Sequence, residues 1–466
     1  MSSDEEITKY ERFSNKKMLA FSLNLPILNA FWAMRNGLQL YAAKALGIPI
    51  LFMLLIFGIY VIWDAINDPL TGNLLDRSSK FTSKYGKRFP FIVIGIIGAL
   101  LCLALLYLPV SSNTLLAVLW ILIILIIYDG FQTLYELSFA GLYVDRIRDQ
   151  PQRVKLGTYA YILYGINAIA FAIITPMILG MYGGVTNPWA FFMATLVSII
   201  VLAIYSIPHI LSTREPEEMK ELRLSLEEEG KSSSPPKEFL KRAFKDRNWM
   251  VLIITYDIFV VVTACVTIGT AFYILDVLGL PIEVTALTGL AFFLTSFVAV
   301  PIWMIIAKRI GSRKTFFYSL LITTISTACF IFASNLSLLV IVFIFFAIGV
   351  TGAHVPLNAI FSEAIDEATL KSGIREESSY MGILRFFSAT ALFWQILIFA
   401  IVGTTTGYDP QLGTDNSEYA KSGLLLQMSL IPAAILGICM LLFLKYYKIT
   451  KDTAIETKKK LIEMNL

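Results

Sequence analysis

The chain has 466 residues, 57% of them apolar and only 15% charged, with a formal net charge of +4. That composition excludes a soluble globular domain and a disordered chain, and leaves an integral membrane protein whose apolar runs alternate with short charged loops. The small positive surplus carries no signal for nucleic acid.

Residues 1–16 read as a cytoplasmic N-terminal tail with no cleavable leader. Six spans follow, at 17–41, 51–75, 90–110, 115–144, 156–181 and 188–210, forming an N-terminal bundle over 17–210. Residues 211–248, rich in Glu, Ser and Pro, read as a cytoplasmic central linker. Six more spans, at 249–275, 284–306, 314–334, 336–364, 379–403 and 423–447, form a C-terminal bundle over 249–447. Residues 448–466 are a cytoplasmic C-terminal tail. The predicted class is an all-α membrane protein of twelve transmembrane helices in two six-helix bundles.

Of the 38 Lys and Arg residues, 34 fall in one alternate set of loops and tails; Lys44 and Lys421 lie on the other side, and Arg35 and Arg385 within spans. By the positive-inside rule both termini face the cytoplasm. The turn bearing Gly72, Asp76, Arg77, Gly86, Lys87 and Arg88 has a weaker echo in Lys308, Arg309, Gly311, Arg313 and Lys314, as two related halves would leave. Asp76, Arg77 and Arg88 are candidates for a charge latch between helix ends. Cys102, Cys265, Cys329 and Cys439 sit inside apolar runs without metal-binding spacing, and read as small packing residues.

The second span carries the strongest chemical signal. Asp64, Asn67 and Asp68 stand at i, i+3 and i+4, so their oxygens share one helix face. An Asp at mid-bilayer costs about 2.5–3.5 kcal/mol on insertion scales, and two within a turn also repel. Such a cluster calls for a positive partner: Na⁺, Li⁺, a proton, or a basic residue on another helix. The fourth span places Asp129, Gln132, Thr133 and Glu136 on a second polar stripe, with Thr133 within a turn of the depth of Asp64 and Asp68 at about 1.5 Å per residue. Asp64, Asn67, Asp68 and Thr133 together offer hard oxygens, which suit Na⁺, Li⁺ or H₃O⁺.

Arg35, near the outer end of the first span, is expected to snorkel to the interface. Arg385 lies deeper in the eleventh; facing Glu136 across a central cavity, it would bind a polar or anionic group or form an ion pair between halves. Asp257 either lines that cavity or pairs with a loop lysine. His354 is a packing residue or a proton relay. With two His residues and no nucleophile beside a base, nothing supports an enzyme.

Trp63-Asp64-Ala65-Ile66-Asn67-Asp68-Pro69 with Gly72, the element Lys87-Arg88-Phe89-Pro90-Phe91-Ile92, and the loop from Asn358 through Gly373 to Arg375 resemble the motifs of the glycoside–pentoside–hexuronide:cation symporters. This family, whose reference member is the melibiose carrier, belongs to the major facilitator superfamily. The resemblance implies the major facilitator fold. It also implies a cation site at Asp64, Asn67, Asp68 and Thr133, holding Na⁺ if the protein is sodium-coupled. Glu136 falls where the family has a sugar-binding Asp, and Arg385 where it has a Lys. The family's first-span Asp has no counterpart among Asn24, Asn29 and Arg35, its fifth-span Arg is replaced by Tyr161, and an aromatic residue by Ala140. These departures leave the ion site intact and point away from a melibiose-like substrate.

The expected function is secondary active transport in the plasma membrane, coupling Na⁺ or H⁺ to uptake of a sugar, glycoside or sugar acid by alternating access. Asp129, Gln132, Glu136, Tyr161 and Arg385 are the expected substrate wall. A cation-coupled carrier of lysolipids or organic anions is the alternative. No cofactor beyond the coupling ion is expected; the expected partners are the small-molecule substrate, a monovalent cation and the lipid bilayer, and the protein is expected to be a monomer.

Overall fold

The structure, a computed structural model, describes residues 13–77, 86–147, 150–216, 236–373 and 376–463. The chain divides into two compact units, Met1–Ser232 and Ser233–Leu466. No strand occurs among the described residues.

In the first unit a short helix α1 (Asn15–Phe21) precedes α2 (Asn24–Leu40), which continues through a π-helical turn at Tyr41–Ala45. The unit is completed by α3 (Ile50–Arg77), α4 (Phe89–Leu106), α5 (Thr114–Arg146), α6 (Gln150–Met181) and α7 (Pro188–Ser212). The second unit opens with the short α8 (Pro236–Ala243) and then α9 (Arg247–Phe272), ending in a π turn at Tyr273–Val277. It continues with α10 (Thr285–Ile310), α11 (Ser312–Cys329), α12 (Leu336–His354), α13 (Leu357–Ser372), α14 (Glu377–Thr406), α15 (Glu418–Met428), α16 (Leu430–Tyr446) and α17 (Lys451–Glu463). Eleven stretches among the described residues are long and apolar enough to cross a membrane, with α12–α13 and α15–α16 each counted as one. The twelfth is α2, whose 17 residues reach spanning length only with the π turn.

Three predicted segments differ in detail. The first span does not begin as one helix at residue 17, because the chain breaks at Ser22 and Leu23 between α1 and α2. The tenth does not stop at 364: after the interruption at Val355 and Pro356, α13 runs on to Ser372. The C-terminal tail is helical over Lys451–Glu463 and packs on α13. In the central linker, Arg214–Pro216 and α8 are described, whereas the Glu- and Ser-rich part over 217–235 lies outside the described residues.

Local chemistry sets the helix starts. The side chains of Asn113, Asn187, Asp246 and Asn335 accept from the free backbone N–H groups of α5, α7, α9 and α12, as N-caps do. On α3 the exposed residues Leu51, Leu55, Ile59, Ile62, Ile66 and Leu70 recur every three or four positions, a stripe suited to lipid. Tyr60, Asp64, Asn67 and Thr71 have the same spacing on the opposite side.

The two units share one packing scheme. In the first, α3 and α4 pack on α5, α4 on α7, α2 on α6 and α7, and α6 on α7. In the second, α10 and α11 pack on α12, α11 on α16, α9 on α14 and α16, and α14 on α15. The repeat extends to a detail of sequence. Tyr41, Leu46, Gly47, Pro49 and Ile50 match Tyr273, Leu278, Gly279, Pro281 and Ile282 in spacing and identity. Both segments form π turns, closed by Leu46 N to Tyr41 O at 3.2 Å and Leu278 N to Tyr273 O at 3.1 Å. Both end at a glycine of positive φ, 63° at Gly47 and 62° at Gly279, where a side chain would be strained.

Small residues bring the helices close. A Cβ on Gly95 of α4 would lie 2.7 Å from Tyr135 N, and one on Gly98 would lie 2.3 Å from the Phe131 ring. In the second unit, Gly349 of α12 meets Thr323 of α11 in the same manner, at 2.6 Å. Backbone approach of this kind is how membrane helices gain contact without a hydrophobic drive between them. It also fixes the rotation of α5, and with it the direction of the polar stripe.

Candidate functional site: a carboxylate pair between α3 and α5

Asp129 of α5 is the centre of the polar cluster. Its residue is 2% exposed, and both carboxylate oxygens accept hydrogen bonds from α3: Oδ1 from the Tyr60 hydroxyl at 3.0 Å, and Oδ2 from Asn67 Nδ2 at 3.0 Å. The Asn67 amide is oriented by Thr71, whose hydroxyl donates to Asn67 Oδ1 at 3.1 Å. Arg35 of α2 donates from Nη1 to the Tyr60 hydroxyl at 2.8 Å, with its guanidinium 5.6 Å from the ring centre. A relay therefore runs from Arg35 through Tyr60 to Asp129.

Asp64 completes the arrangement. Its carboxyl is in hydrogen-bonding contact with that of Asp129, and it also faces Asp68 and Arg35. Two carboxyl groups in contact cannot both carry charge unless a proton or cation lies between them. Arg35 is one positive charge against the three acids Asp64, Asp68 and Asp129, so the cluster retains room for a further cation.

The expected grouping shifts in this geometry. Asp129, read from the sequence as part of the substrate wall, sits instead with Asp64 and Asn67. Asp68 is half-buried one turn from Asp64, and Thr133 is buried one turn from Asp129. Among the described residues no hydrogen bond joins Thr133 to the cluster, and no three acidic, His or Cys side chains converge as a metal cage would require. Arg35 does not snorkel: it turns inward, because Tyr60 and the acids give it partners that the interface would not.

The remaining candidates are spread more widely. Gln132 is buried, and its Oε1 has no partner among the described residues. Glu136 is half-buried two turns along α5 from Asp129. Tyr161 of α6 is 67% exposed, and no hydrogen bond ties it to the cluster among the described residues. Arg385 is half-buried on α14, in the second unit. His354 is bonded through Nδ1 to Val350 O at 2.8 Å, with its ring against Phe259.

A family profile described as MFS/sugar transport protein matches residues 23–451. This chain belongs to that family. The lactose permease of Lactobacillus delbrueckii subsp. bulgaricus is 26% identical over 415 residues, 84% of this chain and 62% of the permease. The transporter thus spans less than two thirds of that relative's length. The inner membrane symporter YicJ of Escherichia coli K12 is 24% identical over 417 residues, 87% of this chain and 85% of YicJ. In fold, the transporter resembles a solved D-xylose–proton symporter, with a TM-score of 0.62 at 12% identity over 93% of this chain and 98% of that one. The motif resemblance to the glycoside–pentoside–hexuronide:cation symporters agrees with these matches. The protein is a multi-pass membrane protein of the major facilitator fold.

The basic ends of the transporter's helices are held by the chain itself. Glu215, just beyond α7, accepts from the backbone N–H groups of Lys87, Arg88 and Phe89 at 3.2, 2.6 and 3.0 Å. A carboxylate thus caps the positive end of α4. In the second unit Lys451, just beyond α16, lies over Gly311 and donates to Lys308 O at 3.0 Å, at the negative end of α10. Arg88 packs its guanidinium over Gly141 of α5. The side chains of Asp76 and Arg77 lie outside the described residues.

Sequence reading missed Tyr60, Thr71 and Glu215. The first two were within reach, since Tyr60, Asp64, Asn67 and Thr71 repeat at helical spacing. Glu215 carries no local signal, because its partners lie more than a hundred residues away.

Proposed function

We propose that the transporter is a cation-driven symporter of a sugar, glycoside or sugar acid, working by alternating access in the plasma membrane with both termini in the cytoplasm. The coupling ion, Na⁺ or H⁺, binds at the Asp64–Asp129 pair, with Asn67 and Tyr60 holding Asp129 in position. Asp68 and Thr133 form the adjoining wall. Gln132, Glu136 and Tyr161 contact the substrate from the first unit.

The observation that carries this reading is the contact between the Asp64 and Asp129 carboxyl groups inside an apolar bundle, with Arg35 the one basic side chain that faces the pair among the described residues. A small cation entering between them relieves their repulsion and lets α3 and α5 close together. Substrate affinity then differs between ion-bound and ion-free forms by about 1–3 kcal/mol, enough to couple the two. The names of the lactose permease and the YicJ symporter support the sugar class and the symport mode.

The test uses purified protein in proteoliposomes, with uptake of labelled sugars and sugar acids measured under an imposed Na⁺ gradient, an imposed H⁺ gradient, or neither. Accumulation under one gradient, abolished by Asp129→Asn, is the expected result. Equal uptake with and without both gradients would remove the coupling from the proposal.

A further inference from the structure

Five cations of the second unit surround a cleft of about 670 Å³: Arg242 of α8, Lys245 just after it, Arg247 at the start of α9, Lys371 of α13 and Lys448 beyond α16. Membrane orientation accounts for basic residues at helix ends. It does not account for five of them, from separate parts of the chain, gathered around one hollow.

The acids beside them are already engaged. Asp246 accepts from Trp249 N at 3.1 Å as the N-cap of α9, and pairs with Lys371 at 3.3 Å. Glu367 takes the Asn248 amide at 2.7 Å and Lys371 at 3.1 Å. Glu376 holds Arg242 at 2.6 Å. Among the described residues no ion pair reaches Lys245, Arg247 or Lys448, and all three are exposed. Five cations against three acids leave a surplus of two positive charges at the cleft.

One wall is fixed and carries a polar group of its own. Tyr380 of α14 is 5% exposed, held edge-on against Trp249 and Phe239 with ring centres 4.9 and 5.0 Å away. It lines the cleft, and among the described residues no hydrogen bond engages its hydroxyl. Buried hydroxyls ordinarily have a partner. An anion in the cleft would supply an acceptor here and counter-charge to the three exposed cations.

We propose that this cleft binds a phosphate dianion, either free or as a phosphomonoester. Two negative charges match the surplus, Lys245, Arg247 and Lys448 donate to the phosphate oxygens, and the Tyr380 hydroxyl donates to a further one. Bound phosphate ties α8, α9, α13 and the segment after α16 together at one end of the bundle. The site goes beyond the symport reading and needs neither its ion nor its sugar. The group comes from a soluble anion or from a lipid headgroup of the same chemistry, and the test separates the two.

Thermal unfolding of the full-length protein in detergent, at an ionic strength held constant with chloride, is measured against two probes. These are inorganic phosphate, and mixed micelles of phosphatidic acid compared with phosphatidylcholine. A ligand of the folded state raises the midpoint in proportion to its occupancy. A saturable rise with inorganic phosphate assigns the site to a soluble anion, and one with phosphatidic acid alone to a headgroup. Lys245→Ala/Lys448→Ala is expected to raise the half-saturating concentration at least tenfold. Lys308→Ala/Arg309→Ala, which removes two exposed cations that do not line the cleft, is expected to leave it unchanged. No saturable rise with either probe overturns the proposal, and so does a half-saturating concentration that the first pair leaves unmoved or that both pairs shift equally. If Lys245→Ala/Lys448→Ala does not fold, Arg247→Gln is held to the same criterion.

Discussion

The Tyr60 hydroxyl stands between Arg35 and Asp129, accepting from the guanidinium at 2.8 Å and donating to the carboxylate at 3.0 Å. One phenol thereby joins α2, α3 and α5. It passes part of the arginine's charge to the acid while leaving the Asp64 side of the pair open.

Tyr60→Phe removes this bridge without changing the ring that fills the core. Asp129 Oδ1 and Arg35 then each lose a buried partner, at a cost of about 1–3 kcal/mol. A lower unfolding temperature is expected, together with a roughly tenfold change in half-saturating ion concentration if about 1.4 kcal/mol of the loss falls on the ion-bound form. Thermal unfolding and ion-titrated uptake measure the two effects separately.

Asp129→Asn and Asp68→Asn distinguish the carboxylate that meets Asp64 across the helix interface from the one that follows it on the same helix. Asp129→Asn is expected to abolish ion-driven accumulation while the protein still inserts. Asp68→Asn, one turn away, is expected to weaken ion affinity and leave accumulation measurable. The reverse order of severity would return the ion to the α3 face alone.

Gly98→Ala places a methyl 2.3 Å from the Phe131 ring, so that ring must shift or α4 and α5 must separate. The expected cost is about 1–3 kcal/mol, with a secondary loss of ion affinity as the α5 stripe rotates. Gly130→Ala is the control, because a Cβ there meets nothing within 4 Å; it is expected to be neutral or to stabilise by about 0.5–1 kcal/mol. Unfolding midpoints of the two variants in one detergent make the comparison.

Glu215→Gln retains an acceptor for the α4 N-terminus but removes its charge. A loss of about 0.3–1 kcal/mol is expected, up to about 2 kcal/mol for so buried a cap. Lys451→Ala should have a comparable effect on the second unit through α10. Stability of both variants against added salt checks the electrostatic origin, since wild type should lose its advantage as screening increases.

Much of this was legible in the linear chain. Apolar runs marked the spans, and the clustering of Asp64, Asn67 and Asp68 marked α3 as the chemical helix, because residues three and four apart share a face whatever the rest of the protein does. The two halves were visible in loop charge. Their sharper trace, from Tyr41 to Ile50 and again from Tyr273 to Ile282, becomes conspicuous once both segments are seen to form the same π turn. The inward Arg35 was hidden, because its burial depends on a tyrosine of another helix.

Periodicity along one helix thus established which residues face inward and that a buried negative cluster needs a positive partner. Which acid meets which was a matter of helix rotation. Asp129 reaches Asp64 and Asn67 because Gly95 and Gly98 let α4 press against α5 and turn its polar stripe onto α3. Contacts across an interface follow from the close packing of both backbones, and spacing within a single segment carries no record of that.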